Sequence, residues 1–371
     1  MIIPERISIE ISTFCNLSCG MCFLTGFRQK KIAGAADYLN KFFDASLFKK
    51  IIDELSKNLS RKDLPFSVSL TGGEPFLHPQ IFELLRYARE KKVGITVYTN
   101  GTLIDSSFAR KICEVMPAAL MFSVDGPEEI HDKIRGKGNF QKTCEAIKLV
   151  QLQKVVFMTK RPKIYINTVI NNLNVGYLQD ILFLAELFDV DGISFSHSQW
   201  SDSRLSFLTE NEFEKRLNWT GPRRFRNITV RAMEHNLKVA EDKIRELVSQ
   251  INLIKERYKC SSLPQAALMP HFFSFRPNLS EEEIRLWYSE ECGKINFCDW
   301  VYKWIRIGVD GSVQPICGVI PFSFGNLSDR SLKEILANEK TKFFFKEIKS
   351  NGFFYACQHC CRRPAAGRLI L

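Results

Sequence analysis

Cys15, Cys19 and Cys22 share one short loop, spaced C-x3-C-x2-C, directly after an alternating apolar run from Arg6 to Ser12. Cysteine thiolates are the usual protein ligands of iron–sulfur clusters, and a cubane takes four. Three thiolates at this spacing would hold three irons and leave the fourth open to a small molecule. The competing reading is a structural zinc site. It needs a fourth nitrogen or sulfur ligand, and no His or Cys follows closely enough to complete a tetrahedron.

Three further segments carry chemistry-capable residues: Thr71-Gly72-Gly73-Glu74-Pro75, Tyr98-Thr99-Asn100-Gly101 and Ser123-Val124-Asp125-Gly126-Pro127. Each alone reads as a turn with permissive glycine or a proline stop. In this order after C-x3-C-x2-C, they make the chain resemble the radical S-adenosylmethionine (SAM) enzymes. One departure is Met21, where that family more often has an aromatic residue before the third cysteine; an apolar, polarizable Met can still pack against adenine. The resemblance implies a [4Fe–4S] cluster on Cys15, Cys19 and Cys22, with SAM chelating the open iron and cleaving to a 5′-deoxyadenosyl radical. It also implies that Gly72, Gly73 and Glu74 meet the SAM ammonium, with Asn100 and Asp125 in the matching strand-end motifs. Ser123 or Arg135 would take the SAM carboxylate, and Asn167 the ribose.

Strand-like runs at 7–12, 66–70, 94–99, 119–124, 164–170 and 192–197 alternate with helical patterns at 46–58, 79–91, 106–114, 140–153 and 177–188. Strand–helix alternation of this kind predicts a parallel sheet with right-handed crossovers. The fold class is therefore α/β: a partial (β/α)6 parallel barrel with a helical insertion and a small C-terminal cysteine-rich α+β cluster domain. The boundaries fall at 1–200, 201–295 and 296–371. Ser8, Glu10 and Ser12 should face the barrel interior, and Ile7, Ile9 and Ile11 the helices. Functional groups in such barrels gather at the carboxyl ends of strands.

A second cysteine array comprises Cys298, Cys317, Cys357 and Cys360, with Cys292 and Cys361 as candidate substitutes. A zinc ribbon is one reading. A hairpin turning at Asp310-Gly311, a capped short helix after Gly325 and the closing C-x2-C resemble instead the twitch or SPASM extension of radical SAM enzymes, implying one auxiliary [4Fe–4S] cluster. Cys113, Cys144 and Cys260 lie in helical patterns and read as ordinary buried residues.

Between barrel and tail, Met233, Leu237, Ala240, Ile244, Leu247, Ile251, Ile254 and Tyr258 form a heptad stripe. It predicts one helix of about 28 residues, roughly 40 Å long, packed within the chain and covering one side of the active-site opening. A coiled-coil homodimer is the alternative, so the oligomeric state stays open.

The chain has 371 residues, 45% hydrophobic and 25% charged, with no apolar run near the length of a membrane span. No signal-peptide core precedes the first strand, and the cysteines cluster as ligands, so a cytoplasmic location is expected. The net charge of +11 favours acidic partners, such as a ferredoxin or flavodoxin electron donor, or an anionic substrate. Nucleic acid is set aside, because no basic-aromatic platform is present. The expected activity is oxidation of a small polar metabolite of sugar, aminocyclitol or nucleotide-sugar type, with the auxiliary cluster accepting the electron. The aminocyclitol suggestion comes from the resemblance of the tail cysteines to those of radical SAM alcohol dehydrogenases. The rivals are peptide cross-linking or epimerisation, which would need a separate recognition element, and a non-catalytic iron–sulfur scaffold. His197, Gln199 and Tyr165 are candidates for the catalytic proton acceptor by position alone.

Overall fold

The computed structural model describes residues 4–29, 37–58, 67–197, 212–217, 239–243, 245–247, 249–250, 253–254, 299–316 and 322–352. Its frame is a sheet in which β1 (Arg6–Ser12), β2 (Ser67–Gly72), β3 (Ile95–Thr99), β4 (Ala119–Ser123), β5 (Lys163–Ile170) and β6 (Gly192–His197) pair in parallel in sequence order. The helices α1 (Phe23–Gln29), α2 (Ala45–Asn58), α3 (Ile81–Glu90), α4 (Ser106–Val115), α5 (Glu128–Arg135), α6 (Asn139–Val156) and α7 (Leu178–Leu187) occupy the crossovers. Among the described residues β6 lies at one edge of the sheet. The short helices α1 and α5 lie outside the expected helical patterns. No helix among the described residues is long and apolar enough to cross a membrane.

Strand alternation divides the sheet into two chemical faces. Ile7, Ile9, Ile11, Val68, Leu70, Val97, Leu120, Phe122, Ile164 and Ile166 are buried against the helices in one continuous core. The opposite face of β1 carries Ser8 and Glu10, and Ser8 Oγ lies 3.2 Å from Thr71 Oγ1 of β2. Cys113 and Cys144 are buried in α4 and α6, as their helical positions suggested. Asp105 caps α4 by accepting the Phe108 N–H at 2.8 Å, satisfying a donor the helix start leaves open.

The C-terminal segment joins the same sheet. After α8 (Asp299–Lys303), β7 (Trp304–Ile307) pairs in parallel with the free edge of β1, then β8 (Ser312–Pro315) and β9 (Gly325–Asn326) follow antiparallel. The β7–β8 turn falls at Asp310-Gly311, where Gly311 takes φ +79° and Asp310 Oδ1 accepts the Ser312 N–H. A capping box of Ser331 and Glu334 opens α9 (Leu332–Ala337), and α10 (Glu339–Asn351) follows. Arg216 in the insertion pairs with Glu347 of α10 at 2.8 Å.

The described part of the heptad stripe departs from one uninterrupted helix. Val239 and Ala240 are non-helical, Glu241–Lys243 is a 3-10 turn, and the described positions from 245 to 254 are helical. The loop after β5 sets this break: Asn172 Oδ1 accepts the Ala240 N–H at 3.0 Å, and its carbonyl accepts from Lys243 Nζ. Leu247 and Ile254, the buried stripe positions among the described residues, pack into the core that the sheet shares with its helices. Ile244 and Ile251 lie outside the described residues.

Arg306 of β7 donates to Glu10 Oε1 at 2.7 Å and to the Tyr38 hydroxyl at 2.8 Å, locking the C-terminal strand to β1. Burial and then the Glu10 charge push Tyr38 well up, so it stays a phenol. Glu10 Oε2 is buried without a hydrogen-bond partner among the described residues, so the carboxylate depends on Arg306. Arg306→Met should therefore cost about 3 kcal/mol by stranding that charge, whereas Glu10→Leu with Arg306→Met should recover most of the loss. Urea titration of the single and double variants checks this.

Candidate active site

The loop of Cys15, Cys19 and Cys22 leaves β1 at its carboxyl end and enters α1. It has little regular structure, so other elements must hold its shape. The Gly73 N–H donates to the Ser12 carbonyl at 2.6 Å, and the Glu74 N–H to the Phe14 carbonyl at 2.7 Å. This approach admits no side chain: a Cβ on Gly73 would sit 1.9 Å from the Phe14 oxygen, and one on Gly72 2.1 Å from the Ser12 oxygen. Arg28 of α1 reaches back to the Leu17 and Thr13 carbonyls at 3.3 and 3.2 Å. From the other side, the Gly20 N–H donates to the carbonyl of Ile134 in α5 at 2.9 Å.

The Glu74 side chain is buried and accepts three hydrogen bonds from within the chain. One oxygen accepts from Thr99 Oγ1 at 2.9 Å and from the Phe76 N–H, and the other from the Asn100 N–H at 2.8 Å. Asn100 is committed in turn. Its Nδ2 donates to Asn16 Oδ1 at 3.0 Å and its Oδ1 accepts from Thr102, while Asn16 also bonds Thr102 Oγ1. Both residues thus brace the cysteine loop from the ends of β2 and β3. Asn16, the residue after Cys15, is the partner that sequence reasoning missed.

Asp125 and Arg135 are likewise engaged inside the chain. Arg135 Nε donates to the fully buried Asp125 Oδ2 at 2.5 Å, and its Nη1 lies 3.9 Å from Cys19 Sγ. Asp125 Oδ1 accepts the Val169 N–H at 2.8 Å, which ties the pair to β5. His131 Nδ1 accepts the Asp125 N–H; burial, then the Arg135 charge, push this imidazole down to about 4, so it stays neutral. The short α5 that carries His131 and Arg135 left no signal in the apolar pattern, since only His131 and Ile134 of it are buried.

Ser123 and Asn167 remain available. They are register partners on β4 and β5, half-buried, and neither side chain hydrogen-bonds within the chain among the described residues. Met21 is half-buried beside Cys22. Tyr165 sits two positions below Asn167 on the same face of β5, and burial pushes its hydroxyl up. The backbone of His197 closes β6. Gln199 and Cys292, Cys298, Cys317, Cys357, Cys360 and Cys361 lie outside the described residues.

Cys15, Cys19 and Cys22 are free thiols close enough to repel one another's charge. Yet no three His, Cys, Asp or Glu among the described residues converge as the ligands of a single ion would. A cubane binds one thiolate per iron, whereas one tetrahedral zinc would need a fourth nitrogen or sulfur ligand. Burial raises Cys15 and pushes Cys19 up to about 11, with Arg135 opposing the rise at Cys19. Loading a cluster must therefore displace thiol protons.

Residues 9–185 match the family model of the Radical SAM superfamily, and residues 298–361 match an iron–sulfur cluster-binding SPASM domain. An AdoMet-dependent heme synthase of Oleidesulfovibrio alaskensis is 25% identical over 361 residues, covering 95% of this chain and 79% of the relative. A mycofactocin maturase of Mycobacterium ulcerans is 28% identical over 186 residues, covering 50% of this chain and 45% of the maturase, so that match spans less than half of the relative. Among solved structures, SuiB of Streptococcus suis bound to S-adenosylmethionine superposes with a TM-score of 0.60 at 18% identity, covering 97% of this chain and 72% of SuiB. That likeness is one of fold.

Two outcomes follow from the bracing. Gly73→Ala should fold but lose the N-terminal cluster, read as about four fewer irons per chain after reconstitution. Glu74 supplies a pH dependence: burial outweighs its three donors and pushes the carboxyl up to about 7, against 4.5 when unperturbed. The folded chain holds this proton more tightly than the unfolded one, so stability falls as pH rises from about 4.5 to 7, by about 3 kcal/mol. Urea unfolding of the cluster-free protein between pH 5 and 8 should show the slope, and Glu74→Gln should flatten it.

Proposed function

We propose that this radical SAM enzyme, with its C-terminal SPASM domain, oxidises a compact polar substrate seated against the polar face of its barrel sheet. With the cluster and SAM bound, reductive cleavage of SAM supplies a 5′-deoxyadenosyl radical for hydrogen abstraction, and the auxiliary iron–sulfur centre an electron acceptor. Cys15, Cys19 and Cys22 would hold the first cluster. Ser123, Asn167 and Met21 would face SAM, while Gly72, Gly73, Glu74, Asn100, Asp125 and Arg135 keep the loop and strand ends in place. Cys298, Cys317, Cys357 and Cys360 would hold one auxiliary [4Fe–4S] cluster.

One observation supports the substrate reading: the inner sheet face is mostly polar, interrupted at Ala119 and Met121 of β4. Ser8, Thr71, Tyr98, Ser123, Tyr165, Asn167 and Ser194 share it by strand register. Such a wall would orient a substrate by hydrogen bonds, with Tyr165 on it a candidate for proton transfer and His197 a candidate by sequence position alone. Neither relative described above is named for a sugar or aminocyclitol, so that finer class has no support from them. The heme synthase is similar over 95% of this chain, which supports a heme-type substrate as an alternative to the compact polar one. The maturase similarity favours the second reading, peptide modification, but it covers only half of the chain. A small acidic ferredoxin or flavodoxin would suit the charge of +11 as electron donor, in the cytoplasm.

Anaerobic incubation with SAM, dithionite and either iron tetrapyrroles or candidate peptides, followed by mass spectrometry, separates the two substrate readings. SAM should be cleaved to 5′-deoxyadenosine in the wild type and not in Cys19→Ala. About eight irons per chain are expected, and about four in the triple variant Cys15→Ala/Cys19→Ala/Cys22→Ala. About twelve irons would overturn the single auxiliary cluster, and SAM cleavage by the triple variant would overturn the whole reading.

A further inference from the structure

The last turn of α5 meets the cysteine loop at two points. The Ile134 carbonyl accepts the Gly20 N–H at 2.9 Å, and Arg135 Nη1 comes within 3.9 Å of Cys19 Sγ, inside N–H···S reach. The Arg135 side chain is only 10% exposed, and Nε holds it to Asp125. Its backbone is fixed as firmly. Asn139 Nδ2 donates to the Arg135 carbonyl at 2.9 Å, and Asp132 ties the following turn by accepting the Gly138 and Phe140 N–H groups. Gly136 ends the helix at φ +104°, so the chain turns away directly after placing Arg135.

This arrangement is polarised. Nε faces the carboxylate and Nη1 the sulfur, so the positive charge stands between Asp125 and Cys19. Asp125 and His131 are fully buried and His131 is neutral, so solvent screens the pair little. Burial is the largest influence on the Cys19 thiol; among the charges around it Arg135 acts most strongly, favouring the thiolate, and Asp125 acts least. Arg28, by contrast, has its guanidinium on the Leu17 and Thr13 carbonyls and ranks last among the influences on Cys15. The loop therefore feels positive charge chiefly through Cys19.

Reduction adds one negative charge to an iron–sulfur cluster. The potential at which this happens is set by net charge, by hydrogen bonds to the sulfurs and by exposure. A buried, positively charged donor at a ligand sulfur favours the reduced form, and a nearby carboxylate opposes it. We infer that Arg135 raises the reduction potential of the cluster on Cys15, Cys19 and Cys22 through its contact with the Cys19 sulfur, and that Asp125 limits the rise as counter-charge. Arg135 thus eases electron entry, a role separate from binding SAM. The inference rests on the assignment of that cluster to these three cysteines.

Redox titration of the full reconstituted chain without SAM, followed by electron paramagnetic resonance, tests it. The N-terminal cluster's signal is the one lost in Cys15→Ala/Cys19→Ala/Cys22→Ala. At a given applied potential, Arg135→Gln should lower its reduced-to-oxidised ratio about tenfold, a shift of ~59 mV for one electron. Asp125→Asn should move the ratio the opposite way, because it keeps an acceptor for the Val169 N–H and removes the counter-charge. Lys133→Gln makes an equal charge change on the exposed side of α5 and should leave the ratio unchanged. Opposite signs at the two members of one ion pair are not what a loosened loop would give. Unchanged ratios in Arg135→Gln and Asp125→Asn would overturn the inference, and so would a fall in both. Weaker SAM binding by Arg135→Gln with its SAM-free ratio unaltered would assign the guanidinium to the SAM carboxylate instead. If Arg135→Gln takes up fewer irons than the wild type, Asp125→Asn decides, an unchanged or lowered ratio overturning the inference. Absence of the signal from the wild type would overturn the cluster assignment and this inference with it, whereas a normal signal with unshifted potentials overturns this inference alone.

Discussion

The geometry of the three cysteines rests on one backbone crossing, where Gly73 and Glu74 donate to the Ser12 and Phe14 carbonyls. Each hydrogen bond of this kind contributes about 1 kcal/mol net. Their larger effect is positional, because an irregular loop has no hydrogen-bond ladder of its own. The crossing joins the exits of β1 and β2 before either chain diverges. Everything else around the loop extends that clamp: Glu74 carries it to Thr99 and Asn100, and Asn100 returns it to Asn16.

The buried acids and cations of this site therefore hold geometry more than they offer chemistry. Glu74, Asp125 and Arg135 are engaged with partners within the chain, whereas the Ser123 and Asn167 side chains make no hydrogen bond among the described residues. Groups that hydrogen-bond behind a metal ligand orient it and tune its electronics. Arg135 is the clearest case, since one guanidinium spans Asp125 at the end of β4 and the Cys19 sulfur. A similar economy links the two ends of the chain. Arg306 approaches β1 from nearly three hundred residues later and is neutralised there by Glu10. The C-terminal segment is thereby placed on the edge of the barrel sheet.

Local pattern determined much of this protein. Alternation of Ile with Ser and Glu in β1 set which face meets the helices, the strand–helix order indicated the fold, and the cysteine spacing with Gly72-Gly73 carried the family resemblance that implied the cofactors. Asp310-Gly311 turned the hairpin where expected, because a tight turn depends on its own few residues. Only the tertiary structure decided what each polar group does. A carboxylate such as Glu74 looks the same in sequence whether it faces a ligand or three internal donors. Its role depends on Thr99 and Asn100, which the fold brings close. The heptad stripe shows the same limit: its period predicted burial, and Leu247 and Ile254 are buried, but Asn172 fixed where the helix begins. The pairing of β7 with β1 likewise required Arg306 and Glu10 to meet across the fold, a contact that no local spacing encodes.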